Sequence, residues 1–264
     1  MKFNVSSKLQ YEVLGSSTII LNIHALKSQQ QQVLEEKFWI DPYCKWEELL
    51  MPHSENRFIK IEIEKKTNIA VEYMALVDTS YKMIPQKNQK ELSVNQFSPE
   101  IFSYLYPSRY CQSDMLYRLA NNMFGKIQNS YDQVVALTDW IHENVAYLSG
   151  STDSQTSAYD TVTQQAGVCR DFAHLGIALC RALTIPARYF TGYAYQLNPP
   201  DFHACFEAYL NGQWILFDPT KLAPLNGMVK IATGRDAADT AIANKRTGVL
   251  RWLQGRPVGV CHSR

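Results

Sequence analysis

The stretch "FHACFEAYLNGQWILFDPT", residues 202–220, leaves the chain little conformational freedom. Two alternating runs flank Asn211-Gly212, and an Asn-Gly link between such runs predicts a hairpin closed by a two-residue type I′ turn. The turn fixes the register. Counting back from it, Leu210 faces Gln213, Cys205 faces Asp218 and His203 faces Thr220. His203 and Asp218 then share one sheet face as diagonal neighbours, roughly 7 Å apart at the backbone, a gap that an imidazole and a carboxylate can bridge. A histidine on a strand is more often a surface or core residue than a catalytic one, so the pair needs a partner before it can carry chemistry.

That partner lies upstream in "AGVCRDFAHLGIALCRALTIPARY", residues 166–189. Gly167 permits a sharp turn into a helix that starts at Cys169. Phe172, Leu175, Gly176, Leu179 and Leu183 then form an apolar stripe running to the breaker Pro186. Cys169 falls in the first turn, where unpaired N–H groups and the helix dipole favour an anion and so a thiolate. Cys180 is on the stripe and reads as a small core residue. Asp171 suits the helix dipole, though it opposes a nearby thiolate, and His174 reads as a surface or capping residue. A thiol at a helix start and a carboxylate-oriented imidazole are the two halves of a Cys–His–Asp triad. His203 would take the thiol proton and Asp218 would hold the ring. Cys169, His174, His203 and Cys205 match no zinc-ligand spacing, so no metal is expected.

The rest of the chain divides into two regions. Residues 1–97 alternate as strands, with Leu9, Tyr11 and Val13, then Ile59, Ile61 and Ile63, then Ile69, Val71, Tyr73, Ala75 and Val77 on greasy faces. Several such strands predict an antiparallel β-sandwich-like domain. The polar "SQQQQ" at 28–32 reads as a surface loop. From Ser98-Pro99 the pattern turns helical: a short helix ended by Pro107, one with Leu116, Leu119 and Met123 on a face, and one capped by Ser130 with Val134, Leu137, Ile141 and Val145 inward. Helices followed by strands make residues 98–264 a second, α+β domain. The tail beyond about 235 reads as a strand pair or a loosely packed end.

Composition removes several function classes. Lys plus Arg total 26 against 25 Asp plus Glu, with no run of like charge, so no nucleic-acid surface is expected. The most apolar stretch, "FAHLGIALCRAL", is too short to span a bilayer and contains His174 and Arg181. The first residues lack a signal-peptide core, so the expected location is cytoplasmic, with the six cysteines reduced. No CxxC, HExxH, P-loop or dinucleotide motif occurs, and no cofactor is expected.

"GVCRDFAHLGIALCRALTIPARYFTGY" followed by "DFHACFEAYLNGQWILFDPT" resembles the transglutaminase-like superfamily, which shares a papain-like core. Within it the chain is similar to a bacterial branch of candidate cysteine proteases with an extra N-terminal β domain. "YLSGST" before the cysteine and "GRDAADTA" after the triad extend the likeness over about 130–240. The resemblance implies Cys169 as nucleophile, His203 as base and Asp218 as orienting acid. It also implies an oxyanion donor besides the cysteine N–H, for which Tyr147 in "AYLSG" is a candidate, with core packing as its competing role. The expected reaction is thiol-dependent acyl transfer on a peptide or glutamine-type amide of a peptide or protein substrate, ending in hydrolysis. Transfer to an amine, as in a transglutaminase, is the alternative, and a peptide-binding module on the same scaffold is the reading of another class. Oligomeric state stays open.

Overall fold

The fold is that of a computed structural model, which describes residues 1–50, 54–80, 92–245, 250–252 and 258–263. The N-terminal region is built from β1 (Lys2–Val13), β2 (Ser17–Leu21), β3 (Gln31–Asp41), β4 (Lys45–Leu50), β5 (Arg57–Ile63) and β6 (Thr67–Thr79). A helical stretch follows: α1 (Pro99–Phe102), α2 (Ser113–Phe124) and α3 (Ser130–Asn144). Next come β7 (Ala146–Tyr147), α4 (Ala158–Gln164), β8 (Ala166–Gly167) and α5 (Cys169–Ala182). The chain then adds β9 (Ala187–Ala194), β10 (Phe202–Leu210), β11 (Gln213–Phe217), β12 (Met228–Gly234) and α6 (Ala237–Thr240). It finishes with β13 (Ala243–Lys245), β14 (Leu250–Trp252) and β15 (Val258–Ser263).

Two antiparallel sheets form the N-terminal part, one ordered β14-β1-β6-β3 with β15 also on β1, the other β13-β2-β5-β4. Their alternating strands bury Leu9, Tyr11, Val13, Ile59, Ile61, Ile63, Val71 and Tyr73 in one shared core, as period-two patterning requires. Together with the helical half this is an α+β architecture. The ambiguous tail resolves into strands: β13 pairs with β2, and both β14 and β15 pair with β1. The region bounded as 98–264 therefore ends in three strands that belong to the sheets of the first. Residues 246–249, 253–257 and 264 of that tail lie outside the described residues.

The second core surrounds α5. Asp171 to Ala182 are buried on every side, not along one stripe, because α2, α3 and α4 pack on it from one direction and β9 and β10 from the other. Gly176 is the point of closest approach. A Cβ there would lie 2.5 Å from the Phe206 ring, so only glycine lets β10 sit down on the helix. Gly167 has a similar spatial role: a Cβ would meet the Asp171 Cβ at 2.8 Å, and its backbone needs no left-handed turn.

Several local expectations shift. Asn129, not Ser130, caps α3, its Oδ1 accepting the N–H groups of Tyr131 and Asp132 at 2.8 and 3.3 Å. On α2 the inward residues are Leu116, Ala120 and Phe124, while Met123 is exposed, since the buried face follows a three-to-four spacing one residue round from the expected stripe. The "SQQQQ" segment is not a surface loop throughout: Gln31 opens β3 and is fully buried. Its Nε2 donates to the carbonyls of Leu26 and Lys230 at 2.6 and 2.8 Å, and its Oε1 accepts the Lys230 N–H at 2.7 Å. Asn56 does the same to Thr233, at 2.8 and 2.9 Å. Two side-chain amides thus stand in for a neighbouring strand along the edge strand β12, satisfying its backbone and joining the two cores.

Candidate active site

The hairpin forms in the register that its turn dictates. Leu210 pairs with Gln213 and Phe206 with Phe217, without a bulge, and Asn211 and Gly212 have φ of 52° and 79°, both in the left-handed region of a type I′ turn. Asp218 follows the last residue of β11. His203 Nε2 lies 2.8 Å from Asp218 Oδ2, with both side chains 1% exposed. The other carboxylate oxygen, Oδ1, accepts the Thr220 hydroxyl at 2.7 Å and the Thr220 N–H at 2.9 Å. Thr220 Oγ1 is also 3.5 Å from His203 Nε2 and accepts the Leu222 N–H at 3.2 Å. Asp218 is therefore locked in rotation, one oxygen by the threonine and one by the imidazole.

Cys169 begins α5 with its side chain partly exposed, and it is among the groups that act on the His203 imidazole. Nε2 is committed to Asp218, which leaves Nδ1 for the thiol side. Burial alone works against a charged imidazole here. The neighbouring Cys205, the hydrogen bond to Asp218 and the nearby Cys169 outweigh it and hold His203 well above its ordinary value of 6.5. Asp171, also at the helix start, is fully buried but not a free charge. It accepts Arg170 at 2.8 and 3.0 Å, the Thr152 hydroxyl at 2.7 Å and the Val168 N–H at 3.0 Å. Both of its oxygens are thus taken up by the helix start, Thr152 and Arg170.

Tyr147 reaches the same spot by a route no local pattern announces. β7 and β8 form a two-rung parallel pair, Ala146 with Ala166 and Tyr147 with Gly167, and the Leu148 N–H donates to the Gly167 carbonyl at 2.9 Å. This sets Tyr147 beside the start of α5, where Cys169 acts on its hydroxyl. Burial and the neighbouring thiol raise its pKa. The core-packing role is not what the structure gives, because the ring is 46% exposed and only tilts against Phe172 at 5.8 Å.

His174 is neither catalytic nor on the surface. It is fully buried, stacked on Tyr110 at 5.0 Å and beside Tyr189, and its Nε2 accepts the Ala237 N–H at the start of α6. The apolar stripe on either side of it draws it inward, and burial drives its pKa well down. Cys180 is buried core. Arg188 pairs with Glu207, and Tyr193 points away from the thiol to donate to the Ile23 carbonyl at 2.7 Å.

Of the potential metal ligands, His203, Cys205 and Asp218 bring one atom each within 4.8 Å of one another, and His174 is not in that group. Burial pushes the Cys205 thiol up to about 12, and Asp218 is already held by Thr220 and His203, so the group forms a buried support under the imidazole.

Comparison with known proteins bears on both halves. Residues 1–100 match the family model described as bacterial transglutaminase, N-terminal domain, and residues 117–219 match that of the transglutaminase-like superfamily. The crystal structure of a candidate cysteine protease from Cytophaga hutchinsonii is 52% identical, with a TM-score of 0.94 over 99% of this chain and 90% of that one. An uncharacterised protein of Mycobacterium leprae is 29% identical over 146 residues, 52% of each sequence. One of Mycobacterium bovis is 31% identical over 118 residues, 39% of this chain and 38% of its own. The chain thus spans about half or less of the length of these two curated relatives.

Proposed function

The chain belongs to the transglutaminase-like superfamily, and from that premise we propose that it is a thiol-dependent amide hydrolase acting on a peptide or protein substrate. The observation that carries the proposal is the hydrogen-bonded chain from Thr220 through Asp218 to His203, together with the partly exposed Cys169 at the start of α5 among the groups that act on that imidazole. Such a chain serves acyl transfer because each member supplies what the next one needs. The Cys169 sulfur, its proton passed to His203, attacks the amide carbonyl. The tetrahedral oxyanion is held by the Cys169 N–H and the Tyr147 hydroxyl. The C–N bond then breaks, the amine leaves with the proton from His203, and a thioester remains. Water attacks the thioester, His203 takes its proton and returns it to sulfur, and the carboxylic acid departs.

Hydrolysis is preferred over transfer to an amine because the 52% identical relative is described as a candidate cysteine protease. A cytoplasmic location remains part of the proposal. The test is mass spectrometry of a glutamine-containing peptide library incubated with the protein, with and without excess primary amine. Water incorporation at a scissile or side-chain amide supports the reading. Amine incorporation that dominates even at low amine would replace it with a transglutaminase. A protein with no turnover and no covalent capture by a peptide aldehyde would be a binding module.

A further inference from the structure

Asp171 is a fully buried carboxylate, two residues past the nucleophile, that the reaction leaves unused. A charge in such a place is costly unless donors surround it, and here both oxygens are filled. Oδ1 accepts Arg170 through Nε at 3.0 Å and Nη2 at 2.8 Å. Oδ2 accepts the Val168 N–H at 3.0 Å and the Thr152 hydroxyl at 2.7 Å. Val168 and Arg170 are neighbours in sequence and complete the start of α5. Thr152 is not a neighbour: it lies 19 residues away, and among the described residues its hydroxyl has Asp171 as its one partner.

Thr152 closes a circuit that carries Tyr147. Tyr147 pairs with Gly167, the Leu148 N–H donates to the Gly167 carbonyl at 2.9 Å, and the chain then turns back. In that turn the Ser151 N–H and hydroxyl both donate to the Leu148 carbonyl, at 3.3 and 2.7 Å, and Gly150 takes a left-handed φ of 85°. The next two residues return to the helix start, Thr152 to Asp171 and the Asp153 carbonyl to Arg170 Nη2 at 2.6 Å. Residues 147–153 are therefore pinned at both ends to residues 167–171, by backbone at one end and by side chains at the other. Tyr147 itself is 46% exposed and leans on Phe172 at 5.8 Å, so its backbone aims it more than packing does. A strand pair of two residues is a weak hold without a second anchor. Cys169 and His203 are both among the groups that act on the Tyr147 hydroxyl.

We propose that Asp171 and Thr152 are positioning residues for the oxyanion, their bond holding the segment that carries Tyr147 so that its hydroxyl and the Cys169 N–H converge on one oxygen. The inference rests on the amide-hydrolase reading, in which Tyr147 is an oxyanion donor. One carboxylate then sets both donors. Its bond to the Val168 N–H fixes the backbone that presents the Cys169 N–H, and its bond to Thr152 fixes the segment that presents the Tyr147 hydroxyl. Donors of this kind act only where they are already in place, and a shift of about 1 Å removes much of their effect.

Thr152 is the residue to change, because Asp171 also caps α5 and pairs with Arg170, whereas Thr152→Val keeps the shape and removes one donor. Two reagents at Cys169 of the whole chain separate the oxyanion from the thiol. With iodoacetamide the sulfur displaces iodide and no oxyanion forms. With N-acetyl-phenylalanyl-glycinal the sulfur adds to the carbonyl carbon and the C=O π bond opens. The thiol proton passes to His203, and the hemithioacetal oxygen takes the place of the tetrahedral oxyanion. Thr152→Val should weaken the aldehyde by about tenfold or more while Cys169 alkylation stays within about twofold, and Thr152→Ser should restore the aldehyde. Tyr147→Phe should weaken the aldehyde at least as much, and adding Thr152→Val to it should cost nothing more, since Thr152 acts through Tyr147. Unchanged aldehyde affinity in Thr152→Val, equal losses with both reagents, or additive losses in the double variant would each overturn this inference alone. So would a parent protein that alkylates at Cys169 but does not bind the aldehyde. A parent protein whose Cys169 reacts with neither reagent would overturn the amide-hydrolase reading and this inference with it.

Discussion

The Thr220 hydroxyl donates to Asp218 Oδ1 at 2.7 Å while Asp218 Oδ2 faces His203 Nε2 at 2.8 Å, so the carboxylate is gripped from both sides. Thr220→Val keeps the shape but removes one donor to a buried charge-bearing oxygen, an interaction worth about 2 kcal/mol. The expected result is a fall of roughly 10- to 100-fold in kcat/KM with Tm lowered by only about 4–8 °C, and recovery of both in Thr220→Ser. A Thr220→Val enzyme with full activity would show that Asp218 needs no second anchor.

Asp218 also sets the charge state of its neighbour. Its hydrogen bond is among the contacts that raise His203 against the opposing effect of burial. Asp218→Asn removes that contact, so the imidazole should lose its proton at lower pH. The alkaline limb of the kcat/KM profile, where the proton donor for the leaving amine is lost, should move to lower pH, and the maximum should fall by orders of magnitude as the wrong tautomer is favoured. An alkaline limb that stays in place would mean that another group controls it.

Stability should depend on two buried histidines. His24 is stacked on Tyr73 at 4.4 Å, and neither of its ring nitrogens has a partner among the described residues. Burial, then the Arg57 charge, lowers it to about 4, and burial lowers His174 well below its ordinary value too. A folded-state value below the unfolded 6.5 means that the unfolded chain binds the proton first. The contribution of His24 is complete above pH 6.5 and is lost as pH falls toward 4, about 2 kcal/mol of it between pH 7 and pH 5. Urea midpoints should fall over that range, and His24→Phe should flatten the fall. Below 4.5 a further loss begins, because the Arg57 pair of Glu36 and the Arg188 and Lys230 pair of Glu207 hold both carboxylates near 2 despite burial.

The parts of this site that could be read in the sequence are those set by neighbours along the chain. The Asn211-Gly212 turn fixes the His203 to Asp218 register within 16 residues, and glycine, apolar spacing and Pro186 bound α5. Thr220 was within reach, since the same register set it opposite His203, but its bond is to Asp218, two residues back, an Asx-type turn that pairing rules do not describe. Tyr147 depends on a parallel pair only two residues long, joining segments some twenty residues apart, and so short a strand has no periodicity to detect. Gln31 and His174 were misplaced for one reason: polar side chains read as surface, yet a distant backbone at Lys230 and at Ala237 supplies their partners.

The most direct measurement is the rate of iodoacetamide alkylation at each of the six cysteines, by peptide mapping at neutral pH. Cys111, Cys180, Cys205 and Cys261 are buried, with burial raising all four thiols, and Cys44 is partly exposed with its thiol also raised by burial. Cys169 alone combines access, a helix start and action on the His203 imidazole that leans on Asp218. The account predicts that Cys169 is modified first, at least tenfold faster than Cys44, and that His203→Ala slows it toward the Cys44 rate. Faster modification of Cys44, or a Cys169 rate indifferent to His203→Ala, would contradict the claim that the thiol and the imidazole act as one unit.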